Sequence, residues 1–217
     1  MKKIVFFAFL MAAGAVAGYA QESRQDISIS ATGWIEPYRY GQTTVGVSAT
    51  PAYGILGSYR YMLTPSSAIE ANYGITYRNE IRYYSPNFCT GQTSSHCSGI
   101  LVNTRTQEIS GAYVRNFNYK RWNPFLEAGP GVLIFLPILN SGTTVHDVKQ
   151  QTTFTAFYGG GIAYELSPSF DLRAEYRGII SKVPNFGLGG STNSVENLTT
   201  NKYYNIYVPT IGFAYHF

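Results

Sequence analysis

Charged residues make up only 13% of this 217-residue chain, about half the roughly 25% usual in globular domains. Aromatics reach 16%, with 19 tyrosines among them. The net charge of +4 is spread along the chain without a Lys/Arg cluster or a basic helix, which excludes the electrostatic footprint of a nucleic-acid binder. So sparse a charge would leave a water-facing surface prone to association, whereas an outer face that meets lipid needs none.

The chain opens on Lys2 and Lys3, followed by an uncharged, largely apolar run from Ile4 to Gly18. That run falls short of the roughly 20 apolar residues of a spanning helix, and small residues rather than basic ones follow it. Gly18-Tyr19-Ala20 sets small residues before a cut ahead of Gln21, and a cut after Ala17 is a close alternative. Residues 1–20 are expected to be a secretory signal peptide, and residues 21–217 the mature domain. No Cys follows either cut, so a lipoprotein anchor is not expected. Losing Lys2 and Lys3 with no acid lowers the charge by two, and the basic pI then says little about partners.

Beyond the signal, segments of period 2 recur. The first predicted strand is 26–37. In the second, 53–63, Ile55, Gly57, Tyr59 and Tyr61 oppose Ser58 and Arg60. In the third, 68–84, Ile69, Ala71, Tyr73, Ile75 and Tyr77 face one way, while Glu70, Asn72, Gly74, Thr76 and Arg78 face the other. The fourth, 106–117, and fifth, 124–136, alternate less cleanly, and placing Glu108 and Glu127 inward sets their register. The sixth is 152–166. The seventh, 170–181, puts Asp171, Arg173, Glu175 and Arg177 opposite Phe170, Leu172, Ala174, Tyr176 and Gly178. The eighth, 204–217, closes with Ile211, Phe213, Tyr215 and Phe217 against Thr210, Gly212, Ala214 and His216.

Short connectors rich in Pro, Ser or Asn (64–67, 118–122 and 167–169) alternate with long polar ones (38–52, 85–105, 137–151 and 182–203). Strict alternation of long and short loops is the mark of an up-and-down transmembrane barrel, with long loops outside and tight turns in the periplasm. Closure also removes the edges that an open sheet of such strands would expose. A soluble β-sandwich would alternate as well, but with its polar face outside. The expected fold is all-β: an eight-stranded antiparallel transmembrane barrel, without a second domain or repeat.

Candidate chemistry is sparse. Cys89 and Cys97 lie in a polar stretch of an exported chain, so a local disulfide is the leading reading. Two free thiols are the alternative, and Cys89, His96 and Cys97 are too few ligands for a metal site. His146 beside Asp147 is read as a solvated loop pair, because adjacent residues of an extended chain point apart. A lipid A-modifying site would pair His216 with a nearby Ser, and residues 207–217 contain none. Inward charges, namely Arg60, Glu70, Arg78, Glu108, Glu127, Arg173, Glu175 and Arg177, would fill an interior just wide enough for side chains. Groups buried there must pair or stay hydrated. They form either a salt-bridged plug or a narrow ion path gated by re-pairing.

Several segments carry a resemblance. They are Asn123-Pro124-Phe125-Leu126-Glu127-Ala128-Gly129-Pro130-Gly131, Gly159-Gly160-Gly161-Ile162-Ala163-Tyr164-Glu165-Leu166, Leu172-Arg173-Ala174-Glu175-Tyr176-Arg177 and the closing Ile211 to Phe217. Together they resemble the small eight-stranded outer-membrane barrels, the family of the outer-membrane protein A transmembrane domain and outer-membrane protein X. The resemblance implies that the last strand, through Gly212, Phe213, Tyr215 and Phe217, is read by the barrel-assembly machinery. It also implies a monomer surrounded by outer-membrane lipid and lipopolysaccharide, with no cofactor and no catalysis. A structural or adhesin-like role would reside in the Tyr-, Ser-, Thr- and Asn-rich loops, which suit adaptable polar contacts. A peptidoglycan-binding domain like that of outer-membrane protein A is absent from the pattern, so tethering to the cell wall is not implied.

Overall fold

The computed structural model describes residues 24–40, 46–84, 100–139, 148–188, 200 and 202–217. The signal-peptide reading, the Cys89–Cys97 pair, His96 and His146 all lie outside them. The described strands are β1 (Gln25–Trp34), β2 (Arg39–Tyr40), β3 (Gly46–Ala49), β4 (Ala52–Thr64), β5 (Ser67–Thr76) and β6 (Asn79–Tyr84). They continue with β7 (Ile100–Asn116), β8 (Trp122–Pro137), β9 (Gln151–Ser167), β10 (Phe170–Lys182) and β11 (Tyr203–His216). Neighbours run β7-β5-β4-β1-β11-β10-β9-β8, and β8 pairs back onto β7. That closes an eight-stranded antiparallel barrel.

Outside the wall, β2, β3 and β6 build a small extension. The long strand β7 pairs with β5 along its second half and with β6 along its first. β6 pairs in turn with β3, and β3 with β2. The predicted connector 38–52 therefore holds two short strands, and the predicted third strand is two. The break falls at Tyr77 and Arg78, which belong to neither β5 nor β6.

One end of the barrel carries the tight turns, and we refer to it as the turn end. Ser67 opposite Thr64, and Phe170 opposite Ser167, close two of these turns. In the third, Tyr119 and Trp122 exchange backbone hydrogen bonds of 3.0 and 2.9 Å, with Lys120 between them at φ 53°. The other end, the loop end, carries the extension.

The outer wall is apolar. Ile29, Ile55, Ile69, Ile109, Leu126, Phe154, Ile211 and Phe213 all face outward and are exposed, Phe154 by 83%. Rings flank this band at both heights: Tyr53 stacks on Tyr77 at 5.7 Å towards the loop end, and Phe170 meets Tyr215 at 5.0 Å towards the turn end. An apolar band between aromatic girdles is what a lipid-embedded barrel requires.

Candidate functional site

The lumen is layered. Nearest the turn end, Arg60 Nε donates to Glu70 Oε2 at 2.6 Å, and Arg173 Nη2 to Asp26 Oδ1 at 3.2 Å. Arg173 Nη1 reaches the same Glu70 oxygen at 3.5 Å, so one carboxylate serves two guanidiniums. The Phe125 ring lies beneath both, 4.7 Å from Arg60 and 5.6 Å from Arg173, within cation–π range. His216 Nε2 lies 2.9 Å from Asp171 Oδ2 at the rim.

A second network sits at mid-barrel. Arg177 is fully buried and faces three carboxylates: Glu108 at 2.7 Å, Glu127 at 3.1 Å and Glu175 at 3.2 Å. Ser110 Oγ donates to Glu108 at 2.7 Å, and the Phe157 ring lies 4.4 Å from the Arg177 guanidinium. Small residues make the room. A Cβ at Gly159 would press on Glu127 Oε1 and Arg177 Cγ at 3.0 and 3.1 Å.

Seven of the eight charges read from the sequence thus lie inside the barrel. Arg78 does not. The Tyr77–Arg78 break inserts an extra residue into the alternation, so Asn79 takes the inward position and Arg78 is exposed, its Nε donating to Asn103 at 3.1 Å. The networks also use Asp26, and Asp171 from the polar face of the seventh predicted strand, neither of which is among those eight charges. Both occupy inward positions of their strands, even-numbered in β1 and odd-numbered in β10, so strand parity alone could have found them.

Towards the loop end the lumen turns apolar. Trp34, Ile81, Tyr83, Val102, Leu133, Phe135, Ile179 and Ile206 pack there around Phe186. Phe186 meets the edges of Tyr83 and Phe135, each at 6.4 Å. Its φ of 51° lies in the left-handed region that a bulky residue adopts only under constraint. That constraint is visible: Gln151 Oε1 accepts the backbone N–H groups of Asn185 and Phe186 at 2.7 and 2.8 Å. Tyr83 Oη also donates to the Pro184 carbonyl at 2.7 Å. The segment that follows β10 is thereby folded into the mouth as a plug.

Glu36 ties this plug to the first connector. Its carboxyl is enclosed by Val47, Ile81, Val183, Pro184 and Tyr204, and accepts a hydrogen bond from Asn79 Nδ2 at 2.6 Å. Burial pushes it up from 4.5 to about 7, against the opposing hydrogen bonds from Asn79 and Tyr204. A carboxyl raised in the folded state contributes stability that is full below its ordinary value and lost as pH rises through about 7. Amides 81–84, 183 and 185–187, corrected for intrinsic exchange, should therefore lose hydrogen-exchange protection between about pH 4.5 and about pH 7. In Glu36→Gln that loss should disappear.

Of the expected assembly residues, Phe213 and Tyr215 project outward from β11 into the exposed apolar wall, and Phe217 stacks on Tyr215 at 6.1 Å. Gly212 faces inward against Ser30 of β1. A Cβ there would overlap Ile29 O, Ser30 Cα and Ser30 Oγ.

A closed eight-stranded wall with an apolar, aromatic-bordered exterior and a charged interior defines a bacterial outer-membrane barrel. The chain belongs to the outer membrane protein beta-barrel domain family, whose model matches residues 6–217. Among solved structures it is similar to Neisserial surface protein A, at 14% identity and a TM-score of 0.57, covering 90% of this chain and 98% of that one. It is also similar to the outer membrane protein OprG from Pseudomonas aeruginosa, at 11% identity and a TM-score of 0.60, covering 91% of this chain and 98% of that one. No curated protein sequence matches the chain. The protein is an integral protein of the bacterial outer membrane, and in such barrels the short turns face the periplasm and the loops the exterior.

Proposed function

We propose that the protein acts at the cell surface, as an envelope barrel whose external loops and extension make contacts, rather than as a conduit. The observation that carries this reading is the double seal of the lumen. An ion entering from outside meets the Phe186 plug and the apolar layer around it, and then the Arg177 network, with no exposed group in either. Crossing would strip the ion of water in a layer whose polar groups, Glu36, Gln151 and Tyr83 among them, are already engaged in holding the plug, which is costly. What remains available is the outer extension. There Tyr38 packs at 6.4 Å from Tyr84, both exposed, beside the Arg82–Glu80 ion pair.

Purified protein in planar bilayers is expected to show no conductance steps. Cells displaying the wild-type chain should attach to mucin-coated and polystyrene surfaces better than cells whose long loops are shortened with the Phe186 plug kept in place. Regular conductance steps would favour the narrow-channel alternative. Equal attachment by the two strains would leave the barrel a bulk structural component of the envelope.

A further inference from the structure

Side chains were expected to fill the interior throughout, yet the periplasmic end is hollow. The inward side chains there are short, as at Ala163, Asn116 and Asn123, or fold back into the charge network, as at Arg60 and Arg173. They leave a cavity of about 650 Å³ open to the periplasm, within the size range of small-molecule sites.

Arg60 and Arg173 form its inner end and are only 2% and 3% exposed. Arg60 commits Nε to Glu70. Its Nη1 has only a 3.5 Å approach to Asn116 Oδ1, and its Nη2 has no acceptor among the described residues. Arg173 commits Nη2 to Asp26, and its Nη1 reaches Ser28 Oγ and Glu70 at 3.4 and 3.5 Å. Its Nε has no acceptor among the described residues. Two guanidiniums lining one cavity thus each keep an uncommitted N–H. A buried cationic donor is costly to leave unmet, and an anionic oxygen satisfies it by a charge-assisted bond.

The rest of the lining fits an amphipathic guest. Phe125, Met62 and Ala163 offer apolar wall, and Arg24 and Lys120 add positive charge. Of the lining acids, Asp26 gives Oδ1 to Arg173 and holds Oδ2 3.9 Å from His216 Nδ1 without a hydrogen bond, Asp171 is engaged by His216, and Glu165 remains. We propose that this cavity binds a small organic anion from the periplasm, a carboxylate or a phosphate monoester with an apolar body. The headgroup lies against Arg60 and Arg173, and the body against Phe125 and Met62.

The test is a titration of the refolded barrel in uncharged detergent, followed by the amide NMR shifts of residues 60–62, 125 and 126. The probes are benzoate, phenyl phosphate, inorganic phosphate and, as a neutral control, benzyl alcohol. Benzoate or phenyl phosphate should saturate at concentrations about tenfold or more below benzyl alcohol, and the tighter of the two identifies the headgroup. Arg60→Lys keeps the charge but not the fork and should weaken binding by about tenfold. Ala163→Phe fills the cavity, leaves both arginines in place and should abolish binding. Unheated gel mobility shows that both variants are folded. No saturable shift with either aromatic anion would overturn the proposal. So would benzyl alcohol or inorganic phosphate binding as tightly as those anions, or binding that survives both variants. The cavity lies at the opposite end of the barrel from the loops, so this result is independent of the surface role.

Discussion

Replacing Arg177 by Met should destabilise the barrel by about 3–5 kcal/mol, the usual cost of removing one partner from a buried ionic network. Glu108, Glu127 and Glu175 all turn their carboxylates on this one guanidinium. Met fills a similar volume over the Phe157 ring but leaves three acids facing one another in a buried layer. The measurement is urea unfolding of the refolded protein in lipid vesicles, read by tryptophan fluorescence. The decisive comparison adds Glu108→Gln, Glu127→Gln and Glu175→Gln to the Met background. Without uncompensated charge the multiple variant should recover most of the loss, because a neutral layer of the same shape is often as stable as the ionic one. If Arg177→Met alone unfolds at the wild-type midpoint, the network does not hold the barrel together.

Substituting Val for Gly212 should abolish assembly. Gly212 sits directly opposite Ser30, on the seam where β11 closes against β1. A side chain there runs into the Ser30 hydroxyl and also into the backbone of the opposing strand, at Ile29 O and Ser30 Cα, which cannot swing away as a side chain could. Gly57→Val is the matched control. Its Cβ would face outward with nothing closer than Tyr73 O at 3.9 Å, so that variant should insert normally. The readout is the mobility difference between unheated and boiled samples in SDS gels. A heat-modifiable band for Gly212→Val at the wild-type level would refute the steric account. The test also separates two roles at this position: a glycine needed only for recognition by the assembly machinery should still permit folding into vesicles of purified protein.

Where one face of a strand meets lipid and the other a polar lumen, the architecture could be read directly from the alternation of residues. β5, β10 and β11 show it in Ile69 to Thr76, Phe170 to Arg177 and Thr210 to Tyr215, because the two environments demand opposite chemistry. The signal fades where both faces are apolar. Leu133-Ile134-Phe135-Leu136 and Ile179-Ile180 place large hydrophobic groups on both sides, and the apolar upper lumen was therefore invisible. Arg78 misled for a different reason. Tyr77-Arg78 continues the apolar–polar rhythm, although the strand has broken there and its facing has changed. Partnership was also beyond a linear reading: Arg177 finds Glu108 from 69 positions away, through a register that only closure of the sheet determines.

The placement of Phe186 has a consequence for how this surface can change over generations. The seal of the barrel rests on residues at and just beyond the strand ends, with Gln151 and Phe135 holding it from the wall and Tyr83 from the extension. The parts of the outer connectors beyond these residues can therefore be exchanged, lengthened or shortened without breaching the permeability barrier. A chain built in this way lets its exposed face diversify under selection while the cell behind it stays closed.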